Sequence, residues 1–212
     1  MIAIKAITIE REYGSGANFI AEKLSKQLGW KLWDQLFTTE IARHMECDKS
    51  HVEQKEERRD PLYYRLLKSF MRGSFEGSLN APKLKIADAE GIRAVSEQLV
   101  RKAAAEGNCV IVGRGAAYYL HESPDVFHIF IYAQFEERVR RLQDTGVGET
   151  EAIELAETVD SERAAFIKQY FEVDWPQRHY FHLMINSEMG DDCVVQTIIE
   201  AMKAVQSCSF IP

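Results

Sequence analysis

The chain has 212 residues, of which 46% are hydrophobic and 28% are charged. This length and apolar content suit one α/β domain with a substantial core. The formal net charge of −7 disfavours a nucleic-acid partner, because binding to a phosphate backbone needs a basic surface. Small phosphorylated ligands remain compatible with this charge where arginines cluster locally.

The sequence predicts a cytoplasmic protein. Cys47, Cys109, Cys193 and Cys208 lack the C-x-x-C spacing of metal and redox motifs, which is typical of a reducing compartment. No apolar run approaches the roughly 18 residues that a bilayer-spanning helix needs, so we expect no membrane partner. The N-terminal residues lead directly into a patterned strand, so we expect no cleavable signal.

Strands and helices alternate along the chain. In chain order, the predicted elements are strand 2–9, a helix that ends at Gly29, strand 30–33, helix 37–45, helix 88–105, strand 109–113, strand 126–132, a helix that carries Arg138 to Arg141, helix 149–171, strand 182–186 and helix 191–206. This alternation predicts an α/β fold, with a central parallel sheet of about five strands and helices on both faces.

The composition changes between about residues 46 and 104. Charges crowd at residues 53–60, apolar residues then recur at helical spacing, and a turn-rich stretch follows at 73–82. We interpret this segment as a helical insert within a single domain that spans residues 1–212.

A glycine turn near the N-terminus is the most informative motif. Residues 10–16 read Glu-Arg-Glu-Tyr-Gly-Ser-Gly and connect the first strand to the first helix. This geometry directs backbone N–H groups and a positive helix end towards a phosphate. In the register of the usual loop, G-x-x-x-x-G-K-[ST], Arg11 stands at the first glycine, and Ala17 and Asn18 replace the lysine and the Mg²⁺-binding hydroxyl residue. A tight turn without a ligand is the alternative.

Two further candidates follow strands, at the edge where parallel sheets bind ligands. Arg114 lies between Gly113 and Gly115, so its guanidinium can reach a phosphate without crowding from its neighbours. Pairing with a surface carboxylate is the alternative for Arg114. Asp34 ends the second strand and is a candidate for binding a metal or the acceptor, or for capping the next helix.

Several charged side chains share helix faces. Arg138 and Arg141 are three residues apart, as are Asp160 and Arg163, so each pair lies on one face. Clustered arginines in an acidic protein suggest an anion site, and solvated charged faces are the alternative. His179 and His182 have the same spacing but no nearby third ligand, so we predict no metal site.

The order of these segments resembles the cytidylate kinases, and more closely the cytidylate kinase-like family of P-loop proteins. The segments that carry the resemblance are residues 9–16, 110–115, 126–142, 160–163 and 184–186. The resemblance implies a P-loop NTPase-like three-layer fold and an ATP-dependent transferase that phosphorylates a nucleoside monophosphate, with Mg²⁺ as a further cofactor. It also implies that the helical insert contributes to acceptor binding, and a homodimer is left open.

The resemblance also implies roles for individual residues. The loop that binds ATP would comprise Tyr13, Gly14, Ser15, Gly16, Ala17 and Asn18. The acceptor would lie near Arg114, and Arg138, Arg141 and Arg163 would lie in or beside the lid that closes over the transferred phosphate. From their positions in the sequence, we add Asp34 and Asp160 as candidates for acceptor binding and Arg11 as a catalytic cation. No metal ligand is assigned.

The chain also departs from the cytidylate kinase pattern. Those enzymes have Asp-Gly-Arg-Asp where this chain has Val112 to Gly115, so these residues do not support selectivity for cytosine. The atypical subfamily generally lacks the loop lysine, and we predict that Arg11 and Arg114 supply its charge. Two alternatives remain open: a nucleotide-binding regulator whose chemistry is lost, and a protein-interaction module built on the insert.

Overall fold

The computed structural model describes residues 3–34 and 89–208. Its strands are β1 (Ala6–Arg11), β2 (Lys31–Trp33), β3 (Cys109–Val112), β4 (Val126–Tyr132) and β5 (Leu183–Asn186). Its α-helices are α1 (Ala17–Leu28), α2 (Ala89–Glu106), α3 (Ala116–Tyr119), α4 (Phe135–Asp144), α5 (Glu149–Phe171) and α6 (Asp191–Ser207). Short 3₁₀ helices occupy Arg178–Tyr180 and Ser187–Met189.

The five strands form one sheet in the order β2-β3-β1-β4-β5, and every neighbouring pair is parallel. The predicted parallel sheet is therefore confirmed. The first strand begins and ends later than the apolar pattern indicated, at Ala6–Arg11 in place of 2–9. It extends to Arg11 because Glu10 and Arg11 still pair with Phe130 and Ile131 of β4.

Helices cover both faces of the sheet, which gives the predicted three layers. On one face, α1 and α6 pack on strand residues such as Ile7, Ile9 and Ile129. On the other face, residues of α2, α3 and α5 pack on Ala6 and Ile111. A smaller cluster joins Tyr13 to α4 and α5. The apolar face of each helix explains its position, because burial of that face is the main driving force for packing.

The sheet topology brings the predicted site segments to one edge. Since the strands are parallel, their carboxyl ends lie together, and the segments that follow β1, β2 and β3 contain the glycine turn, Asp34 and Arg114. This is the edge where open parallel sheets bind ligands.

Parts of the predicted architecture lie outside the described residues. These are the helix at 37–45 and most of the insert at 46–104. The C-terminal part of the insert lies within α2, whose bounds, Ala89–Glu106, agree with the predicted helix 88–105. Among the described helices, none combines the length and apolar character required to cross a bilayer.

Candidate active site

The glycine turn folds into a tight, left-handed connection. Gly14 and Gly16 have φ values of 82° and 74°, a region that favours glycine. Gly16 is the N-cap of α1, and no side chain caps the first turn of that helix. The buried Ser15 hydroxyl donates to the Glu12 carbonyl at 2.8 Å, so it stabilises the turn. An uncapped helix N-terminus of this kind is a favourable position for an anion.

Two arginines of α4 contact the turn. Arg138 Nη1 donates to the Tyr13 carbonyl at 3.1 Å, and Arg141 Nη1 donates to the Ser15 carbonyl at 2.5 Å. A Cβ atom at Gly14 would lie 2.8 Å from the Arg138 carbonyl oxygen, and one at Gly16 would lie 2.7 Å from Arg141 Nη1. The α4 backbone therefore requires a glycine at position 14, whereas at Gly16 the flexible end of Arg141 could move and the φ angle is the stronger constraint.

Asp160 of α5 forms a hydrogen bond with the same turn. Its carboxylate accepts the Tyr13 backbone N–H at 2.9 Å and pairs with Arg138 Nη1 at 2.6 Å and Arg163 Nη1 at 3.1 Å. Arg163 Nη1 also donates to the Arg11 carbonyl at 2.9 Å. Asp160, Arg138 and Arg163 thus form one network around the start of the turn.

A second group of arginines lies at the ends of β1 and β3. Arg11 is buried, and its guanidinium lies so close to Gly113 that a Cβ atom there would overlap Arg11 Nη1. Burial, and next the charge of Arg163, lower the pKa of Arg11 to about 10. Burial likewise lowers the pKa of Arg114 to about 10, where the nearby Asp34 carboxylate opposes the shift and Arg163 adds to it. Three buried cations therefore destabilise one another at this edge.

The fold thus brings together most of the residues predicted from the sequence. Arg138, Arg141, Asp160 and Arg163 contact the glycine turn. Arg11, Arg114 and Asp34 lie close enough to one another at the strand ends to shift the pKa values of the two arginines. Ala17 and Asn18 form the first turn of α1, as the sequence predicts.

The sequence reasoning missed Glu10 as a site residue. This side chain is buried on the last part of β1, and burial raises the pKa of its carboxyl group despite the opposing charges of Arg11 and Arg163. The available signal was an acidic residue inside an otherwise apolar strand, immediately before the ligand-binding edge. Ser187 was also missed, and its hydroxyl accepts from Arg141 Nη1 at 2.9 Å.

The two histidines have different surroundings in the structure. His179 is exposed, whereas the ring of His182 stacks on His128 with centroids 5.2 Å apart. Within residues 3–34 and 89–208, no group of three or more His, Cys, Asp or Glu side chains is arranged to hold a metal ion. Mg²⁺ bound with a nucleotide does not require such a cage, because it is held largely by phosphates and water.

Several solved structures share the fold of this chain. A shikimate kinase from Acinetobacter baumannii, solved in complex with shikimate, is 13% identical, with 97% of this chain and 96% of that chain covered and a TM-score of 0.54. A shikimate kinase from Bacteroides thetaiotaomicron is 13% identical, with coverage of 95% and 99% and a TM-score of 0.55. An uncharacterized protein from Eubacterium ventriosum ATCC 27560 is 22% identical, with coverage of 94% and 98% and a TM-score of 0.66. The fold is that of the P-loop kinases.

The family follows from the sequence profile of the cytidylate kinase-like family, which matches residues 6–189. The chain belongs to the cytidylate kinase-like family. No curated protein matches it significantly. Family and fold together support a nucleotide-dependent phosphotransferase.

Proposed function

We propose that the protein is an ATP-dependent kinase that transfers a phosphoryl group to a nucleoside monophosphate. The observation that carries this proposal is the convergence of buried Arg11, Arg114 and Arg163 beside the glycine turn. Burial and mutual repulsion disfavour the charged form of Arg11 and Arg114. A phosphate placed among these side chains reverses that penalty, because it supplies the opposite charge and acceptor oxygens for guanidinium groups.

In this proposal the ATP phosphates bind the turn formed by Tyr13–Asn18. The left-handed glycines and the uncapped first turn of α1 supply backbone N–H donors. Arg141, whose Nη1 lies at Gly16, places a positive charge at the turn although Ala17 replaces the usual lysine. The loss of the lysine is thus compatible with phosphate binding.

The acceptor phosphate binds at the strand ends near Arg114, with Asp34 and Asp160 as the nearby carboxylates. Asp34 would be the protein ligand of Mg²⁺, and the ion would neutralise charge on the ATP phosphates. An oxygen of the acceptor phosphate attacks the γ-phosphorus while the bond to the β-phosphate oxygen breaks, which yields two nucleoside diphosphates. The attacking oxygen is already anionic, so the arginines need only position the groups and neutralise charge.

A second candidate function is that of a nucleotide-binding regulator without catalytic activity. The specific observation in its favour is that Ala17 and Asn18 remove the lysine and the hydroxyl group of the usual loop. The tight ion pairs of Arg138 with Asp160 and of Arg141 with Glu137 add to it, because these arginines already have carboxylate partners.

The test combines binding with turnover. Thermal shifts measured with ATP and each nucleoside monophosphate, with and without Mg²⁺, identify the ligands that the folded protein binds. ATP consumption and nucleoside diphosphate formation are then measured for each bound acceptor. We expect binding of ATP and of at least one monophosphate, with turnover. Binding without turnover of any acceptor favours the regulator, and no nucleotide binding at all rejects both functions.

A further inference from the structure

One oxygen of the buried Glu10 carboxyl group has no hydrogen-bond partner within residues 3–34 and 89–208. Side chains alternate along β1, so Ile7 and Ile9 face α1 and α6, whereas Thr8 and Glu10 face the opposite layer. Glu10 is 4% exposed, and the oxygen without a described partner is the fully enclosed Oε1. Since an unsatisfied buried carboxyl group destabilises a fold, its presence beside a ligand-binding edge indicates a role in binding.

The Tyr118 hydroxyl is a second buried polar group on the same side of the sheet. Tyr118 is 2% exposed, and its hydroxyl makes no well-formed hydrogen bond among the described residues, although the Gln177 backbone lies near enough to interact with it. Its ring contacts Phe181 edge-on at 6.4 Å, and Phe181 in turn contacts Phe130, the register partner of Glu10, at 5.2 Å. These contacts and the strand register place Tyr118 and Glu10 in the same layer. In agreement with this placement, burial raises the pKa of Tyr118, and the charge of Glu10 adds to the increase.

An aromatic layer covers these two polar groups. Trp175 packs edge-on against Phe130 at 5.6 Å, and its Nε1–H group is buried and likewise unsatisfied within the described part of the chain. The ring centroids of Tyr180 and Tyr118 are 4.9 Å apart. The enclosed atoms therefore comprise one acceptor, on Glu10, and two donors, on Tyr118 and Trp175.

The chemistry of these atoms selects the kind of ligand group. A hydroxyl can donate to the Glu10 carboxylate and accept from Tyr118 at the same time. An ammonium group cannot accept a hydrogen bond, and a phosphate or carboxylate would be repelled by Glu10. A neutral group that both donates and accepts is therefore required, and a hydroxyl is the smallest group of this kind.

We propose that Glu10 and Tyr118 form a subsite for a sugar hydroxyl of the acceptor nucleotide. This inference rests on the proposed function. The arginines that act on the Glu10 carboxyl group, Arg11 and Arg163, belong to the cluster assigned to phosphate. In a nucleoside 5′-monophosphate the sugar is bonded directly to the phosphate, so its hydroxyls are the ligand groups that lie nearest to that cluster. The subsite selects ribonucleotides over the corresponding deoxynucleotides.

Calorimetric titration of the full chain tests this selection. The ribonucleoside monophosphate that binds most tightly is compared with its 2′-deoxy and 3′-deoxy analogues. We expect at least one analogue to bind about tenfold more weakly or worse, because a hydrogen bond to a charged group is lost. Equal affinity for all three ligands overturns the subsite and indicates that ordered water occupies it. Failure to bind any nucleoside monophosphate overturns the proposed function itself, and the subsite with it.

Two variants test the assigned residues, and a third is a matched control. Tyr118→Phe removes only the hydroxyl, and Glu10→Met removes the carboxyl group at similar length. Both variants should bind the ribonucleotide more weakly than the wild type does. Their affinity for the ribonucleotide should be close to their affinity for the deoxy analogue that the wild type binds weakly. Tyr119→Phe removes a neighbouring hydroxyl and should keep the wild-type difference in affinity between the ribonucleotide and its deoxy analogue. Loss of this difference in Tyr119→Phe contradicts the assignment.

Thermal unfolding without ligand separates binding from a structural role. Because no described residue forms a hydrogen bond with Glu10 Oε1, Glu10→Met should leave the Tm of the free protein unchanged or raise it. A Tm lowered by several degrees, with the ribonucleotide preference retained, shows that Glu10 stabilises the fold and overturns the proposal.

Discussion

Arg114 lies in a run of three left-handed residues. Gly113, Arg114 and Gly115 have φ values of 67°, 61° and 66°. An L-residue other than glycine reaches this region only at some energetic disadvantage, so strain of this kind is typical of sites with a function. The conformation places a buried guanidinium at the carboxyl edge of β3, beside Asp34 and Arg163.

Replacement of Arg114 should weaken acceptor binding. Arg114→Ala is expected to reduce the affinity for the preferred nucleoside monophosphate by about 1.5–3 kcal/mol, because a charge-assisted hydrogen bond to phosphate is lost. Arg114→Lys should recover only part of this loss, since an ammonium group lacks the bidentate fork. Calorimetric titration measures both variants. Equal affinities of Arg114→Ala and the wild type would remove Arg114 from the site.

Replacement of Arg11 should reduce catalysis. Arg11→Ala is expected to lower kcat by about 10² to 10³, because a positioned cation near the developing phosphate charge is lost. A coupled assay of ADP release measures the rate, and circular dichroism checks the fold. Arg101→Ala, which alters an exposed arginine on α2, is the control and should keep wild-type turnover. Undiminished turnover in Arg11→Ala would contradict a role for this side chain.

Gly16 should be essential for nucleotide binding. In Gly16→Val the side chain adds left-handed strain of about 1–2 kcal/mol at the turn and displaces the Arg141 guanidinium, so ATP affinity should fall at least tenfold. Gly29→Val introduces similar strain at the other end of α1, where an added Cβ atom would meet no side chain of the described residues within 4 Å. We expect it to lower stability without changing the Kd for ATP. Unchanged ATP affinity in Gly16→Val would argue against a phosphate site at the turn.

At the scale of elements, the glycine turn is held by two helices that lie far along the chain. Tyr13 and Ser15 are contacted by α4 through Arg138 and Arg141, and Tyr13 by α5 through Asp160. The position of the turn therefore depends on how α4 and α5 pack, and α5 contributes Asp160 through a side chain that is only 15% exposed.

Neutralisation of Asp160 should destabilise this arrangement. Asp160→Asn keeps the size of the side chain but leaves Arg138 and Arg163 with a weaker buried partner, so we expect a loss of about 2 kcal/mol in the free energy of unfolding. Urea titration measures the change. The control, Asp144→Asn, breaks an ion pair with Arg140 in which both side chains are more than half exposed, and should change stability by less than about 0.5 kcal/mol. Equal effects of the two substitutions on stability would contradict a stabilising role for the network of Asp160, Arg138 and Arg163.

At the scale of the whole molecule, a buried histidine couples stability to pH. His128 lies in β4, where Nδ1 is 2.7 Å from Thr8 Oγ1 and the backbone N–H donates to His182 Nδ1 at 2.9 Å. Burial, followed by the influence of His182, lowers the pKa of His128 to about 4. Burial also lowers the pKa of His182. The native state therefore favours the neutral form of both rings.

This coupling predicts acid destabilisation with a defined sign. Well above pH 6.5, His128 is neutral in both the folded and the unfolded protein, so it does not reduce the free energy of unfolding. As the pH falls towards 4, His128 becomes protonated in the unfolded protein first, and the free energy of unfolding decreases by up to about 3 kcal/mol. Urea titrations between pH 7.5 and 4 measure the loss. His128→Asn should show a shallower pH dependence, whereas His179→Asn, which alters an exposed ring, should match the wild type. Parallel curves for His128→Asn and the wild type would contradict the assignment.

Local patterns predict most of the elements because the forces behind them are local. The helical spacing of Ala17, Ile20, Ala21 and Leu24 predicts α1, and Gly29, with a φ of 66°, ends it as expected. The apolar run at residues 126–132 matches β4 at both ends. The first strand is the instructive error. Its last two residues, Glu10 and Arg11, look too polar for a buried strand, and only pairing with β4 extends the strand through them.

By itself, the sequence determined the α/β class, the elements described above, and the glycine turn with arginines near strand ends. These depend on periodicity, glycine conformation and charge, which act over a few residues. The tertiary structure alone decided which groups meet: Asp160 binds the Tyr13 N–H across 147 residues, Arg11 lies against Gly113, and Glu10 is enclosed with Tyr118. The reason is physical, because contacts between distant segments follow from how apolar faces pack and from how burial changes charge, and neither is visible in the spacing of residues along the chain.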